Sequence, residues 1–302
     1  MIDRASIAFA ALLGMALIPA LAQTGQKTFD SPQQAAQALI DAAGANNTVA
    51  MLQILGPGGK DIVASGDAAA DKESRAQFAE LARQKMNVEV DADKDRATLV
   101  VGPDDWPMPV PIVLEKGKWH FDSVTGRVEV LARRIGRNEL TSLEVCRAYV
   151  EAQMDYASRD RTATGVLQYA QKIIGTPGKK DGLYWEGEPE NLVPKAFADA
   201  SAAISAEGKR PESYHGYYFR ILKAQGPDAE GGALDYVVKG KMIGGFALIA
   251  YPAEYGVSGI KTFLVNHTGK VYQKDLGAAT GTLARQVTRY NPDKSWKQVT
   301  EE

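Results

Sequence analysis

The chain has 302 residues, a formal net charge of −2 and a sequence pI near 6.0. Lysine and arginine are scattered without a basic stripe, which argues against nucleic acid and against a strongly anionic membrane surface as partners. The only cysteine is Cys146, so no intramolecular disulfide can form. Stability must come from burial, for which roughly 280 mature residues are ample.

The first residues have the pattern of a secretory signal peptide. Arg4 precedes an apolar run from Ala5 to Ile18, and Ala20 and Ala22 form a small-x-small triplet with the leucine between them. We expect Sec-dependent export with cleavage after Ala22. The run is shorter than the roughly 20 residues of a spanning helix, so the mature chain should be periplasmic or extracellular without a transmembrane segment.

The next hundred or so residues change from helical to strand periodicity. Helices are predicted at Phe29 to Ala43, with Ser31 as N-cap and Pro32 at the first position, at Asn47 to Leu55, and at Asp71 to Gln84. Phe78 and Leu81 should point inward. Four strands are predicted at Asn87 to Val90, Ala97 to Val101, Val110 to Glu115 and Lys118 to Asp122.

Helices followed by an antiparallel meander predict an α+β layer in which the helices cover one sheet face. The segment PVPIVLEKGKWHFD resembles the end of small cone-shaped domains of the nuclear transport factor 2-like type. Trp119 and Phe121 alternate with Lys118 and His120, which places the aromatic pair in the core and the polar pair toward solvent.

A long linking helix is predicted from Arg127 to Arg159, with a break at Gly136 and Asn138 as the cap of a second helix. We place a domain boundary there, giving an N-terminal α+β domain at 23–136 and a C-terminal domain at 137–302. Later elements are a helix at Asn191 to Ala206, strands at Tyr217 to Ala224 and Leu234 to Val238, and a hairpin within Tyr251 to Gly277 that turns at NHTG.

Two segments carry a family resemblance. The pattern RxIGRNEL occurs at Arg133 to Leu140, and YGxSGxxTFxVNxxGxVYxKDLG occurs at Tyr255 to Gly277. Together they make the mature chain similar to the secreted bacterial proteins grouped as domain of unknown function 2950. That family implies no established activity.

The C-terminal part also resembles the soluble headgroup of type IV pilins and pseudopilins. The matching positions are Gln153 and Tyr156 on a helix, the GYxF-type strand at Gly216 to Phe219, Ala250 to Ala253, and the hairpin at Thr262 to Tyr272. This resemblance implies a helix packed on an antiparallel sheet. The amphipathic helix and the domain before it differ from the apolar N-terminal helix through which pilins polymerise.

Several chemical patterns fail their own geometric tests, so no catalytic residue, metal site or cofactor is predicted. Asp91, Asp93 and Asp95 have calcium-loop spacing, but Arg96 stands where the loop needs glycine. Cys146 falls on the apolar stripe of the long helix, as a structural cysteine would. GVSG at 256–259 precedes a strand instead of a helix, unlike a nucleophile elbow.

Aromatic and polar side chains suggest a surface for an envelope protein or a glycan partner. Its candidate residues are Tyr214, His215, Tyr218, Tyr255, Ser258 and Trp106. The favoured function is a secreted or periplasmic non-enzymatic binding or structural protein of the envelope. One alternative is a periplasmic small-ligand binder or hydrolase, with a site between the domains or in the cone and with Asp104, Asp105 and Trp106 at its mouth. A second is a minor pilin-like protein or secretion assembly factor.

Overall fold

The computed structural model describes residues 25–201 and 212–300, which form seven helices and fourteen strands. All strand pairings are antiparallel, and the predicted α+β class is confirmed. The predicted signal peptide lies outside the described residues, as does the end of the helix predicted at Asn191 to Ala206. Within the described part of the chain, no helix is both long enough and apolar enough to cross a membrane.

Four helices come first in the described part of the chain, where three were predicted, and the predicted Ser31 cap is confirmed. They are α1 (Pro32–Gly44), α2 (Thr48–Leu55), α3 (Gly59–Val63) and α4 (Ala68–Gln84). The Ser31 hydroxyl accepts from the N–H of Gln34 at 3.2 Å, and Asn47 Oδ1 accepts from the N–H of Ala50 at 3.0 Å. Each cap accepts a hydrogen bond from a backbone N–H group that has no acceptor within the helix, and such a cap stabilises the protein by about 1 kcal/mol.

The first sheet contains the four predicted strands and one short strand that was not predicted. Its members are β1 (Met86–Val90), β2 (Arg96–Val101), β3 (Trp106–Pro107), β4 (Ile112–Glu115) and β5 (Lys118–Phe121). The order is β1-β2-β4-β5, with β3 paired to β2. Trp119 and Phe121 are buried as expected, and the N–H of Asp91 bonds to the carbonyl of Arg96 across the β1–β2 turn.

One helix, α5 (Ser123–Ala157), runs for 35 residues through the middle of the chain. The predicted break at Gly136 is therefore wrong, and Asn138 is an interior helical residue instead of a cap. A glycine inside a helix costs about 1 kcal/mol relative to alanine, which packing on both sides of the position offsets. Near the start of α5, Gly126 lies so close to the sheet that an added Cβ would be 2.6 Å from the Cα of Val110.

The C-terminal elements form a second five-stranded sheet, two separate two-stranded sheets and two helices around the end of α5. They are α6 (Lys195–Ala200), β6 (Tyr217–Leu222), β7 (Ala224–Gln225), β8 (Leu234–Asp235), β9 (Val237–Val238), β10 (Lys241–Met242), β11 (Ala247–Pro252), β12 (Lys261–Asn266), β13 (Val271–Asp275), α7 (Thr280–Gln286) and β14 (Lys297–Gln298). The sheet order is β14-β13-β12-β11-β6, so the predicted β12–β13 hairpin is confirmed.

The hydrophobic residues divide into two clusters. One runs from Phe29 to Phe121, and the other from Cys146 to Tyr290. Consecutive residues of β12 are buried, which means that both faces of this strand are covered. The domain boundary expected near residue 136 falls in the part of α5 that lies between the two clusters, and it stays a prediction.

Candidate ligand-binding cavity

A cavity of about 630 Å³ lies among α1 to α5 and the β2–β3 edge of the first sheet. This volume is within the roughly 300–1,000 Å³ typical of small-molecule sites. Its buried lining residues are almost all apolar, including Leu39, Met51, Leu55, Val63 and Val101. The cavity is thus an extension of the first hydrophobic cluster, with an apolar base.

Helical periodicity explains how two helices supply the cavity walls. On α5, the lining residues are Val130, Arg133, Arg134, Arg137 and Asn138, which recur at i, i+3, i+4, i+7 and i+8 and so share one face. On α4, the half-buried Phe78 and Leu81 face the same space. Both were predicted to point inward, and their partial exposure comes from the cavity.

Two of the cavity arginines are held by neutral oxygen atoms. Arg134 donates from its two terminal nitrogens to the carbonyls of Asp61 at 2.5 Å and Ile62 at 2.8 Å. Arg75 donates to Asn46 Oδ1 at 2.8 Å and to the carbonyl of Val63 at 2.9 Å. These bonds orient the guanidinium groups without neutralising them. Burial lowers the pKa of Arg134, because desolvation disfavours its charged form.

Trp106 stands beside a third arginine at the exposed side of the cavity. The Arg133 guanidinium carbon is 5.6 Å from the centre of the Trp106 ring, and its Nε donates to Glu129 Oε1 at 2.7 Å. The Trp106 side chain remains 41% exposed. A partly exposed tryptophan stacked by arginine forms an amphipathic rim, apolar on its free ring surface and positive alongside.

The fourth arginine, Arg137, is exposed and forms no ion pair with any carboxylate of residues 25–201 and 212–300. The same holds for Arg75 and Arg134 within those residues. Two aspartates, Asp71 and Asp104, also line the cavity. The four lining arginines therefore outnumber the lining carboxylates by two formal charges. Asp71 Oδ1 accepts from the neutral Ser65 hydroxyl at 2.7 Å, and Asp71 also acts electrostatically on Arg134.

The C-terminal part of the chain closes one side of the cavity. Gly216, in the turn before β6, lines it next to Asn138. The Asn138 side-chain amide donates to the carbonyl of Ser258 at 2.8 Å. One helical position further, Glu139 Oε1 accepts from the backbone N–H groups of Ile260 at 3.0 Å and Lys261 at 2.9 Å. We call these bonds the α5–β12 contact.

Of the three residues predicted at the mouth of a ligand site, two line this cavity. Asp104 and Trp106 line the cavity, whereas Asp105 pairs with Lys85 at 2.7 Å. His215 is exposed and precedes the lining residue Gly216 in a turn with positive φ angles. Two of the three residues predicted at the mouth therefore lie at one edge of this cavity.

The other predicted surface residues are packed or separate. Tyr214 packs edge-on against Phe197 with ring centres 6.1 Å apart, and Tyr218 lies 5.8 Å from Tyr251. The Tyr255 hydroxyl is 3.4 Å from an Asp275 carboxylate oxygen. Placing Ser258 on an exposed surface is wrong, because its side chain is fully buried.

Ser258 instead stabilises a local turn. Its hydroxyl accepts from the N–H of Glu254 at 2.9 Å and donates to the carbonyl of the same residue at 3.1 Å. A hydroxyl used in this way, with its carbonyl bound to Asn138, is a structural group. The GVSG segment is therefore a turn before β12, as its sequence context indicated.

Cys146 lies on the buried side of α5, as predicted from its position on the apolar stripe of the long helix. Cys146 is fully buried in the second cluster, and burial raises the pKa of its thiol to about 12. At neutral pH the nucleophilic thiolate is therefore suppressed. In the described part of the chain, no group of three or more histidine, cysteine, aspartate or glutamate side chains is arranged to hold a metal ion.

None of the four arginines was predicted as a site residue. Arg133, Arg134 and Arg137 recur at helical spacing in the predicted long helix. Their spacing marks one helix face, but only the tertiary structure shows that this face opens onto an apolar cavity. The signal that could have found them is the charge pattern itself, since RRIGR puts three positive charges within five residues and, among the described residues, only Arg133 has an ion-pair partner one helical turn earlier, Glu129.

Together, these features define an α+β protein with two hydrophobic clusters and an apolar cavity bordered by arginines. The model of the family described as protein of unknown function (DUF2950) matches residues 26–299, and the chain belongs to that family. This confirms the resemblance based on Arg133 to Leu140 and Tyr255 to Gly277. Searches of curated proteins and of solved structures gave no match.

Proposed function

We propose that this protein is a non-enzymatic binding protein of the bacterial envelope whose cavity takes a small, largely apolar molecule. The observation that carries the proposal is the 630 Å³ cavity, with buried Leu39, Met51 and Leu55 at its base. Apolar surface of this kind is stabilised by a ligand that excludes water from it. The signal-peptide pattern at residues 1–22 supports a periplasmic or extracellular location.

The side chains around the cavity favour binding over hydrolysis. Among its described lining residues there is neither a histidine nor a cysteine, and the carboxylate of Asp71 is bound to Ser65. Nucleophilic catalysis needs a nucleophile within reach of a base, and here that pair would be Ser65 and Asp71. The Ser65 hydroxyl is buried, however, and also accepts from the N–H of Asp67 at 3.3 Å, which holds it in the turn before α4. Reproducible ester hydrolysis by the purified protein, lost in Asp71→Asn, would instead support the alternative of a hydrolase.

The test is binding of N-phenyl-1-naphthylamine, a neutral dye that fluoresces in apolar sites. We expect saturable binding by the mature chain and its loss in Leu81→Trp, which places a larger ring in the cavity. The matched control is Leu114→Trp on β4, where the side chain is 38% exposed and outside the cavity. Equal dye binding by both variants would show that the dye sits elsewhere and would contradict the proposal.

A second candidate is a pilin-like or secretion assembly factor. The observation that favours it is the packing of α5 against β11 and β12 of the second sheet, since a helix on an antiparallel sheet is the arrangement that the pilin resemblance implies. Co-purification of the tagged protein with a secretion or pilus complex would support this role. Recovery of the protein alone after mild cross-linking would count against it.

A further inference from the structure

We propose that the ligand of this cavity is a single-chain amphiphile with an anionic head group, its tail on the apolar base and its head at Arg137. The inference rests on the proposed function, because it assigns a ligand class to the same cavity. Its basis is the arrangement of two kinds of surface, one apolar and buried and the other positive and exposed.

The apolar part of the cavity suits an unbranched chain. Leu39 and Leu55 are each 1% exposed, and Phe78 and Leu81 extend the same surface outward from α4. These side chains offer dispersion contacts and no polar atoms. Each methylene group moved from water to such a surface contributes favourably and additively, so affinity should rise with chain length until the cavity is filled.

The head-group end has more arginines than acidic side chains in its lining. Arg137 is exposed on the α5 face that lines the cavity. Arg134 lies three residues earlier on the same face and is partly buried, which disfavours its charged form. Guanidinium groups bind carboxylates through paired, charge-assisted hydrogen bonds. An anion here would gain those bonds and offset the unfavourable desolvation and mutual repulsion of the two arginines.

The acidic groups near this end do not remove the positive excess. Asp61 is paired with Arg127, and Asp71 is hydrogen-bonded to Ser65 and acts on Arg134 electrostatically without forming an ion pair with it. Glu254, from the loop before β12, acts on Arg134 electrostatically but does not line the cavity. Asp104 is the remaining acidic lining residue. A cationic head group would therefore meet two unpaired arginines at the opening of the cavity.

The test compares three ligands with the same alkyl chain in calorimetric titrations of the mature protein at low ionic strength. They are decanoate, 1-decanol and decyltrimethylammonium. We expect decanoate to bind about tenfold or more tightly than decanol. The decanoate carboxylate can form charge-assisted hydrogen bonds with the arginines, whereas the decanol hydroxyl can form only weaker bonds as a neutral group. Decyltrimethylammonium should bind more weakly than decanol.

Two variants and one control locate the effect. Arg137→Gln should weaken decanoate binding about tenfold and leave decanol binding within about twofold. Arg137→Lys should recover part of the loss, since it keeps the charge but not the paired geometry. Arg285→Gln removes an exposed helical arginine from α7, far from the cavity lining, and should change neither titration.

The outcomes separate this inference from the proposed function. Equal binding of decanoate and decanol, unaffected by Arg137→Gln, would overturn the anionic head group and leave an apolar-ligand protein. Tighter binding of decyltrimethylammonium would overturn it as well. If none of the three ligands binds and the neutral dye also fails to bind, the proposed function itself is contradicted.

Discussion

The side-chain amide of Asn138 donates a hydrogen bond to the backbone carbonyl of Ser258 at 2.8 Å, across 120 residues of sequence. The bond joins the middle of α5 to the turn before β12. It also joins the two segments on which the family resemblance was based, since one contains Asn138 and the other contains Ser258. These segments are therefore parts of one structural contact, which lies directly beside the cavity.

We predict that Glu139→Ala destabilises the protein by about 1–3 kcal/mol, because it leaves two backbone N–H groups without their acceptor. Those groups belong to Ile260 and Lys261. Urea unfolding followed by circular dichroism measures the change. The control is Glu144→Ala at an exposed position on the same helix, expected within about 0.5 kcal/mol of the wild type. Equal stability of the two variants would contradict the α5–β12 contact.

Gly216→Ala should destabilise the protein more than Gly256→Ala. Both glycines have positive φ angles, 74° and 76°, so an alanine is strained at either position. Only at Gly216 would the new Cβ also crowd its neighbours, lying 2.6 Å from the Asn138 amide nitrogen and 2.9 Å from the Ser258 Cβ. The crowding should add about 1–3 kcal/mol to the loss in unfolding free energy. Equal losses would show that the turn can shift away.

Cys146 should be unreactive in the folded protein. Because burial raises the pKa of its thiol to about 12, the native protein at pH 8 should react with a thiol-specific disulfide reagent at least about a hundredfold more slowly than the protein in urea. The unfolded sample is the control for a free, reducible thiol. Rapid stoichiometric labelling without denaturant would show that the second hydrophobic cluster opens readily at α5.

Asp181 should make the stability of the second cluster sensitive to acid. Burial alone would raise the pKa of its carboxyl group, but hydrogen bonds from Lys172 and Thr176 lower it to about 2. The folded-state pKa is thus below the unfolded value of about 3.9, so the stabilisation is present above pH 4 and lost as the pH falls toward 2.

The variant Asp181→Asn should therefore lose less unfolding free energy between pH 4 and pH 2 than the wild type, by a difference on the order of 2 kcal/mol. Denaturant melts at the two pH values measure it. Asp91→Asn, at an exposed position in the β1–β2 turn, serves as the control. Identical pH dependence in all three proteins would contradict the inference from the Asp181 hydrogen bonds.

Local signals were the part of the structure that sequence could predict. Ser31 was predicted as a cap because a serine side chain can accept from the backbone N–H three residues later, a rule that needs no tertiary information. Asn47 caps α2 in the same way. Alternation likewise located the first meander, with Trp119 and Phe121 in its core. The β12–β13 hairpin was predictable because its turn residues separate two strand-like runs.

Tertiary context decided the features that sequence missed. Gly136 has no steric reason to break α5, since a Cβ added there would meet nothing within 4 Å, and packing on either side keeps the helix continuous. Ser258 lies in a loop-like segment, yet the contact with Asn138 buries it. The sequence of the arginine face of α5 has the pattern of a solvent-exposed helix face. Only the positions of α4 and the first sheet show that this face lines a cavity.

The most direct test of the account is a crystal structure of the mature protein with decanoate. We predict that the alkyl chain lies against Leu39 and Leu55, with the carboxylate oxygens within hydrogen-bonding distance of the Arg137 or Arg134 guanidinium. A chain bound outside the cavity, or a carboxylate directed toward Leu39 with the tail at the arginines, would contradict both the location and the polarity of the proposed site.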